Sequence, residues 1–481
     1  MQTPPSPEAA SARDVRWIAL IALCLGELMI VLDTTIVNVA LPLIRDDLGF
    51  SPSSLVWVIN AYMLTYGGLL LLGGRMGDLF GHKAVFQWGI VAFTLASLAC
   101  GLATSREVLV IARGLQGVGG AVVSAVALSL IVNLFPEPGE RTKAMGVYGF
   151  VCAGGGSVGV LAGGLIAGSL AWPWVFLVNA PLGALVYWLV RRHVHPPARR
   201  HAPPTLDHLG AVLITASMIL LVFAILGGHE SGWTSPAIAG AAALSVLLMI
   251  GFVLHERRLD DPLVPLRLLR RRGLVVASGI GITWALGMFA AFFIATLLMQ
   301  GVLGYTPLQV GLAFLPSNLA MAALSLGLSG RIVSAVGVRV PLFFTAVLTA
   351  IGLLLLALMP QDARYVWHIL PGTLLLGIAG GIGFNPLLMA AMGEADEADS
   401  GASSGIFNTA FMMGGAVGLA VLAAVAAVVT DRALASGLDA VTAAFHGYQM
   451  AFWGGAAASL LGAFLCAALP APRPGSTALA H

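Results

Sequence analysis

WIALIALCLGELMIVLDTTIVNVALPLI (17–44) contains no lysine or arginine, yet carries two acids, Glu27 and Asp33. The run is longer than the ~20 helical residues that cross a hydrocarbon core of ~30 Å. An acid near the centre of a bilayer costs ~2.5–3.5 kcal/mol on the insertion scale and is usually retained for function. The stretch therefore predicts a membrane helix with a purpose for its carboxylates.

The rest of the chain repeats the first part of that pattern. Of 481 residues 58% are hydrophobic and 10% charged, with a mean hydropathy of +0.94. A globular chain carries about 25% charged residues to cover its surface, so this one is an all-α polytopic membrane protein. Apolar runs fall at 17–43, 54–72, 84–103, 108–134, 142–168, 172–190, 207–227, 237–255, 273–299, 308–329, 340–359, 366–392, 401–429 and 445–469. That makes fourteen spans, grouped six, two and six. With residues 1–16 placed in the cytoplasm, nineteen lysines and arginines fall inside and only Arg45, Arg106, Arg364 and Arg432 outside. A missed span would destroy that bias, and both termini are expected to be cytoplasmic. The residues before Trp17 are polar, so no cleavable signal is expected. Cys24, Cys100, Cys152 and Cys466 are widely separated in apolar runs and read as free packing thiols.

An internal repeat divides the chain. LGFSP (48–52) recurs as LGYTP (303–307), and GRMGDLFGHK (74–83) as GRIVSAVGVR (330–339), at offsets of 255 and 256. Parallel repeats are typical of secondary transporters, whose substrate site lies between the halves. The expected organisation is a tail (1–16), a six-helix bundle (17–190), a linker bearing two additional helices (191–272), a second bundle (273–469) and a tail (470–481). RRHVHPPARRHAPP (191–204) reads as a solvated polybasic segment beside anionic lipid rather than a metal site.

Three motifs bear on chemistry. GGRMGDLFGHK (73–83) reads as a short cytoplasmic loop in which Gly74, Gly77 and Gly81 permit a tight turn. In it Asp78 can accept from a helix N-terminus or pair with an arginine, and Arg75 and Lys83 can hold opposing helix ends. A phosphate loop GxxxxGK[ST] is absent from the chain, which argues against an ATP-driven pump. RGLQGVGGA (113–121) places Arg113 inside an apolar run. It either snorkels to the surface or turns inward to hold a network with Gln116 and an acid of the first span. VYGFVCAGGGSVGVLAGGLIAG (147–168) spaces Gly155, Gly159 and Gly163 four apart, with Gly164 and Gly168 repeating the interval, which favours close helix crossing.

LDTTIVNVALP, GGRMGDLFGHK, RGLQGVGGAVVSA and the glycine-rich fifth span, in this order, resemble the fourteen-helix drug:proton antiporter branch of the major facilitator superfamily, the QacA-like and EmrB-like proteins. The similarity covers essentially the whole chain and is densest over 30–185. It implies the major facilitator fold, two six-helix bundles plus two central helices, alternating access, and proton-coupled export. It also implies that Asp78 helps lock the cytoplasmic gate and that Arg113 serves proton transfer. The chain departs from the family where Val160 follows Gly159 in place of proline, and where Pro173 replaces a charged residue.

Glu27 lies ~15 Å into the first span and Asp33 ~24 Å, on faces ~120° apart, so that both can border a cavity. A carboxylate there can hold a proton or a cationic compound but not both comfortably, which is the basis of exchange. The expected proton-coupling pair is Asp33 with Arg113. The expected substrate contacts are Glu27, Asn38, Tyr62 and Gln116, with Trp57, Phe289 and Phe292 as candidate lining. In the second half Asn318, Asn385 and Asn408 are polar exceptions. The expected function is proton-driven efflux of lipophilic, cationic or amphiphilic compounds, including antibiotics. The alternative is a proton-coupled nutrient importer or facilitator. A membrane enzyme ranks low, because His255, His368 and His446 form no ligand pattern. No cofactor is expected; the partners are drug-like small molecules, protons and lipid, with no nucleic acid, and the transporter is expected to be a monomer in the cell membrane.

Overall fold

The computed structural model describes residues 7–194, 206–259, 262–393 and 399–470. Most of the expected polybasic segment, from 195 onward, and the expected C-terminal tail from 471 lie outside the described residues. Sixteen α-helices are present among the described residues: α1 (Pro7–Leu48), α2 (Trp57–Phe80), α3 (His82–Gly101), α4 (Arg106–Leu134), α5 (Pro138–Ser169), α6 (Trp174–Leu177), α7 (Asn179–His193), α8 (His208–Ser231), α9 (Pro236–Glu256), α10 (Arg272–Gly301), α11 (Pro307–Gly327), α12 (Ser329–Val336), α13 (Arg339–Ala357), α14 (Leu370–Met392), α15 (Ser400–Ala435) and α16 (Ala440–Leu465). Fourteen segments are long and apolar enough to cross a membrane. Each contains most of one expected run; α6 and α7 together form the sixth.

Helices α1 to α7 pack on one another, as do α10 to α16, and the two sets meet chiefly through α5 against α11 and α2 against α15. The additional pair does not stand apart. α8 packs on both α2 and α15, and α9 on α8. The glycines of α5 explain how the sets approach so closely. A methyl group added at Gly163 would stand 2.9 Å from Ile36 O on α1, and one at Gly155 would strike Leu28. Gly159 presses on Thr35 and Leu32 of the same helix. Gly164, on a neighbouring face, would bring a methyl 2.8 Å from Pro307 O on α11. One face of α5 thus serves its own set and the next face serves the other. Val160, standing where the family has proline, leaves α5 continuous from Pro138 to Ser169.

The sequence repeat is a repeat of backbone geometry. Gly49 and Gly304 both adopt the left-handed region, at φ 71° and 69°, and Gly81 and Gly337 do so at 94° and 74°. Only glycine enters that region without a Cβ clash, so each pair marks an equivalent helix end.

One expectation is corrected. GGRMGDLFGHK is not a loop. α2 continues through Phe80, Gly81 alone breaks the helix, and α3 starts at His82. Gly74, Arg75 and Asp78 therefore ride on the last turns of α2, and Lys83 on the first turn of α3. The helix persists because residues 74–80 contain no proline, and the required turn is made by one left-handed glycine. Its counterpart GRIVSAVGVR instead forms a separate short helix, α12.

The two sets meet at the end of the short connections and, through α2 and α15, towards the basic end as well, where an added methyl at Gly405 would strike Leu71. Near the short connections, Gln300 donates to Val39 O at 2.9 Å and Asn60 to Ala416 O at 2.9 Å. Towards the end bearing the basic segments, added methyls at Gly146 and Gly149 of α5 would meet nothing within 4 Å. α5 therefore has room around these two positions at the basic end.

Candidate functional site

Asp33 and Arg113 meet in the interior of the first set, and the snorkelling alternative is excluded. Arg113 is 1% exposed and Asp33 0%. Arg113 Nη1 donates to Asp33 Oδ2 at 2.5 Å and to Gln116 Oε1 at 2.6 Å, while Nε donates to Val58 O at 2.8 Å. Asp33 Oδ1 accepts from Gln116 Nε2 at 2.6 Å and from Asn179 Nδ2 at 3.1 Å. Gln116 Nε2 also donates to Ser97 Oγ at 2.7 Å. The guanidinium lies 4.6 Å from the centre of the Tyr62 ring. Five spans thus contribute to one network. That number of partners is what allows two charges to be held away from water, since an ion pair alone does not recover its desolvation cost. Its spacing is legible on α4: Arg113 and Gln116 are three apart and share a face.

Glu27 forms a second, separate site, 6% exposed. Ser124 Oγ donates to its two oxygens at 3.1 and 3.0 Å, and Tyr148 is a further hydrogen-bonding partner. Among the described residues no basic side chain forms an ion pair with it. α4 serves both carboxylates, Gln116 reaching Asp33 and Ser124 reaching Glu27 eight residues further on. Tyr148 lies beside Gly149, where an added methyl would meet nothing within 4 Å.

The structure does not bring the four expected substrate contacts together. Gln116 and Tyr62 belong to the closed Asp33 network; Tyr62 is 2% exposed. Asn38 Nδ2 donates to Thr34 O of its own helix at 2.9 Å. Glu27 lies apart from these, its oxygens held by Ser124. Asp33, expected to border a cavity, is fully enclosed. Ser97, Ser124, Tyr148 and Asn179 were not singled out by the sequence reading. Each is a polar residue inside an apolar run, and that was the available signal.

The aromatic candidates divide. Phe289 packs on Phe411 and Phe292 on Phe314, with centroids 5.9 and 5.1 Å apart. Phe384 and Phe411 extend the first contact across α14 and α15, with centroids 5.7 Å apart. Asn385 and Asn408 each bond a main-chain oxygen, of Ser325 and Ser404. Among the polar contacts at the basic end, Asp78 Oδ1 faces His82 Nε2 at 3.3 Å rather than an arginine. Arg75 Nη2 donates to Pro262 O at 2.6 Å, and Lys83 Nζ to Arg191 O at 3.0 Å. His255 Nε2 meets Asp207 Oδ1 at 2.8 Å. Among the described residues no group of side chains has the makings of a metal site.

Two helical sets with repeated geometry, a seam between them and buried carboxylates inside the first define a membrane transporter. The Major Facilitator Superfamily model matches residues 23–419. The chain belongs to that superfamily. It is 39% identical over 445 residues to the puromycin resistance protein pur8 of Streptomyces alboniger, covering 91% of this chain and 88% of that protein. It is 39% identical over 406 residues to the cephamycin export protein CmcT of Amycolatopsis lactamdurans, covering 84% of each. Among solved structures, the POT family transporter PepTSo superposes with a TM-score of 0.70, at 15% identity, over 96% of this chain and 98% of that one. That likeness concerns the fold alone.

Proposed function

We propose that this transporter exports lipophilic, cationic or amphiphilic compounds, antibiotics among them, in exchange for protons. The observation that carries the reading is the separation of two buried carboxylates, Asp33 enclosed with Arg113 and Glu27 held by Ser124, with no basic partner among the described residues. Asp33 is the proton site: protonation neutralises it and releases Arg113 to its other acceptors, which loosens a network joining five spans. Glu27 is the recognition site for positive charge. The relatives named for puromycin resistance and cephamycin export support outward drug transport. Each proton supplies ~2.3 kcal/mol per 100 mV and ~1.4 kcal/mol per unit of pH gradient. The basic end faces the cytoplasm, as do both termini, and Asp78, on the last turn of α2, steadies the closing of that end. The protein works as a monomer.

Asp33→Asn tests the coupling, because the amide retains hydrogen bonding and cannot release a proton. Inside-out vesicles bearing an imposed pH gradient are expected to accumulate puromycin with the wild type and to show only downhill equilibration with the variant. Undiminished uphill accumulation by Asp33→Asn would remove Asp33 from the coupling.

Glu27→Gln tests recognition. Only a cation gains from an ionised partner in a low dielectric, and solvent reaching the site limits that gain to about 1–2 kcal/mol, roughly five- to thirtyfold in affinity. Matched cationic and neutral compounds are to be compared in wild-type and variant vesicles. Equal losses for both would assign Glu27 to the proton path or to structure.

A further inference from the structure

The additional helices carry a cluster that the export reading does not use. Asp207 caps α8, its Oδ1 accepting from the Gly210 amide at 2.8 Å and from His255 Nε2 at 2.8 Å. Glu256 ends α9, and its Oε2 accepts from the Val264 amide at 2.9 Å. The remaining oxygens, Asp207 Oδ2 and Glu256 Oε1, are both buried and neither meets a donor. They converge on one point: a methyl added at Gly210 would strike Asp207 Oδ2 and stand 2.7 Å from Glu256 Oε1. The two carboxyls are within hydrogen-bonding range of each other.

Two carboxylate oxygens have no hydrogen between them, and like charges so close cannot both persist when buried. A single proton resolves both difficulties. It turns one oxygen into a donor, satisfies the other, and removes one of the two charges. The geometry points to Asp207 and Glu256 holding one proton between them, a proton-binding site on the additional helices that fastens the segment 262–271 across the basic end of the transporter.

That segment is the reason the site matters. It is packed, with Leu263, Val264 and Leu268 buried. Glu256 holds it at Val264, Arg75 of α2 holds it at Pro262 O, and Arg267 and Arg271 bind Asp399, at the start of α15, at 2.8 Å each. The strap therefore joins α9 to one helix from each set. Among the described residues, the groups facing the carboxyl pair are His255 from α9, the Gly210 amide from α8 and the Val264 amide from the strap. Arg257 and Arg258 at the end of α9, and His208 on α8, are exposed. With the proton bound, Glu256 is held facing Asp207 and presents Oε2 to Val264. As pH rises and the proton leaves, repulsion separates the carboxylates, and the strap loses its anchor on α9.

The test reads the strap directly and needs no transport substrate. Hydrogen exchange of residues 262–270 is followed in lipid nanodiscs from acid to alkaline pH, each rate divided by that of the free peptide at the same pH. Wild-type protection is expected to fall at least tenfold as pH rises. Glu256→Gln is expected to keep its protection throughout, because its amide donates to Asp207 permanently while its oxygen still accepts from Val264. Asp207→Asn, which retains a capping side chain and donates to Glu256 instead, should behave alike and guards against a folding defect in the first variant. Protection in the wild type that does not depend on pH, or the same loss in both variants, would overturn the proposal.

Discussion

Arg113→Ala is expected to destabilise the folded transporter by about 3–5 kcal/mol, the cost of leaving a buried carboxylate without its counter-charge. The arginine touches Asp33, Gln116 and Val58 O and lies under the Tyr62 ring. Alanine removes every one of these contacts and leaves Asp33, at 0% exposure, facing only neutral donors. Thermal unfolding in detergent should show a large drop, and uphill transport should vanish. Removing both charges discriminates the cause. Asp33→Asn/Arg113→Met carries no uncompensated charge and should recover much of the stability while remaining uncoupled. A double variant as unstable as Arg113→Ala would place the loss in packing rather than in electrostatics.

The second large effect concerns the seam between α5 and α11. Gly164→Val inserts a branched side chain where even a methyl would stand 2.8 Å from Pro307 O and 3.0 Å from Leu308 Cα. Backbone atoms cannot step aside as a side-chain tip does, so α5 and α11 must separate there. Overpacking of this kind costs about 1–3 kcal/mol, equivalent to a shift of roughly 5–150-fold between two states. The state in which α5 and α11 close on each other at Gly164 is the one penalised. Spin labels placed across α5 and α11 near Gly164 should report a longer distance in Gly164→Val. Gly146→Val, with nothing within 4 Å of the added methyl, is the control and should leave the distribution alone. An unchanged distance in Gly164→Val would mean that the contact does not hold the seam shut.

The sequence alone determined the class of protein and the count of its spanning segments. Apolar runs of membrane length cannot be hidden in water, and fourteen of them reappear as fourteen spanning segments. The repeated LGxxP and GRxxxxxGx[KR] stretches were legible because the backbone they encode needs glycine at Gly49, Gly304, Gly81 and Gly337. The meeting of Arg113 with an acid of the first span was also legible: an arginine far inside an apolar run must find a partner or a route to the surface. Other features depended on how the helices cross. Helical spacing put Glu27 and Asp33 on different faces, but could not say that α4 would receive both, nor that Arg113 would choose Asp33. Tyr62 and Gln116 looked like lining residues because a polar or aromatic side chain reads the same in sequence whether it faces a cavity or a buried ion. The turn after α2 was misread as a loop because glycine-rich composition does not distinguish a flexible segment from a helix ended by one left-handed residue. Asp207 and Glu256, 49 residues apart, became a pair only when α8 and α9 packed side by side. Local covenants of hydrophobicity and backbone angle are written along the chain; the partnering of buried charges is decided by tertiary packing, because each group's desolvation must be answered by whatever neighbour the fold delivers.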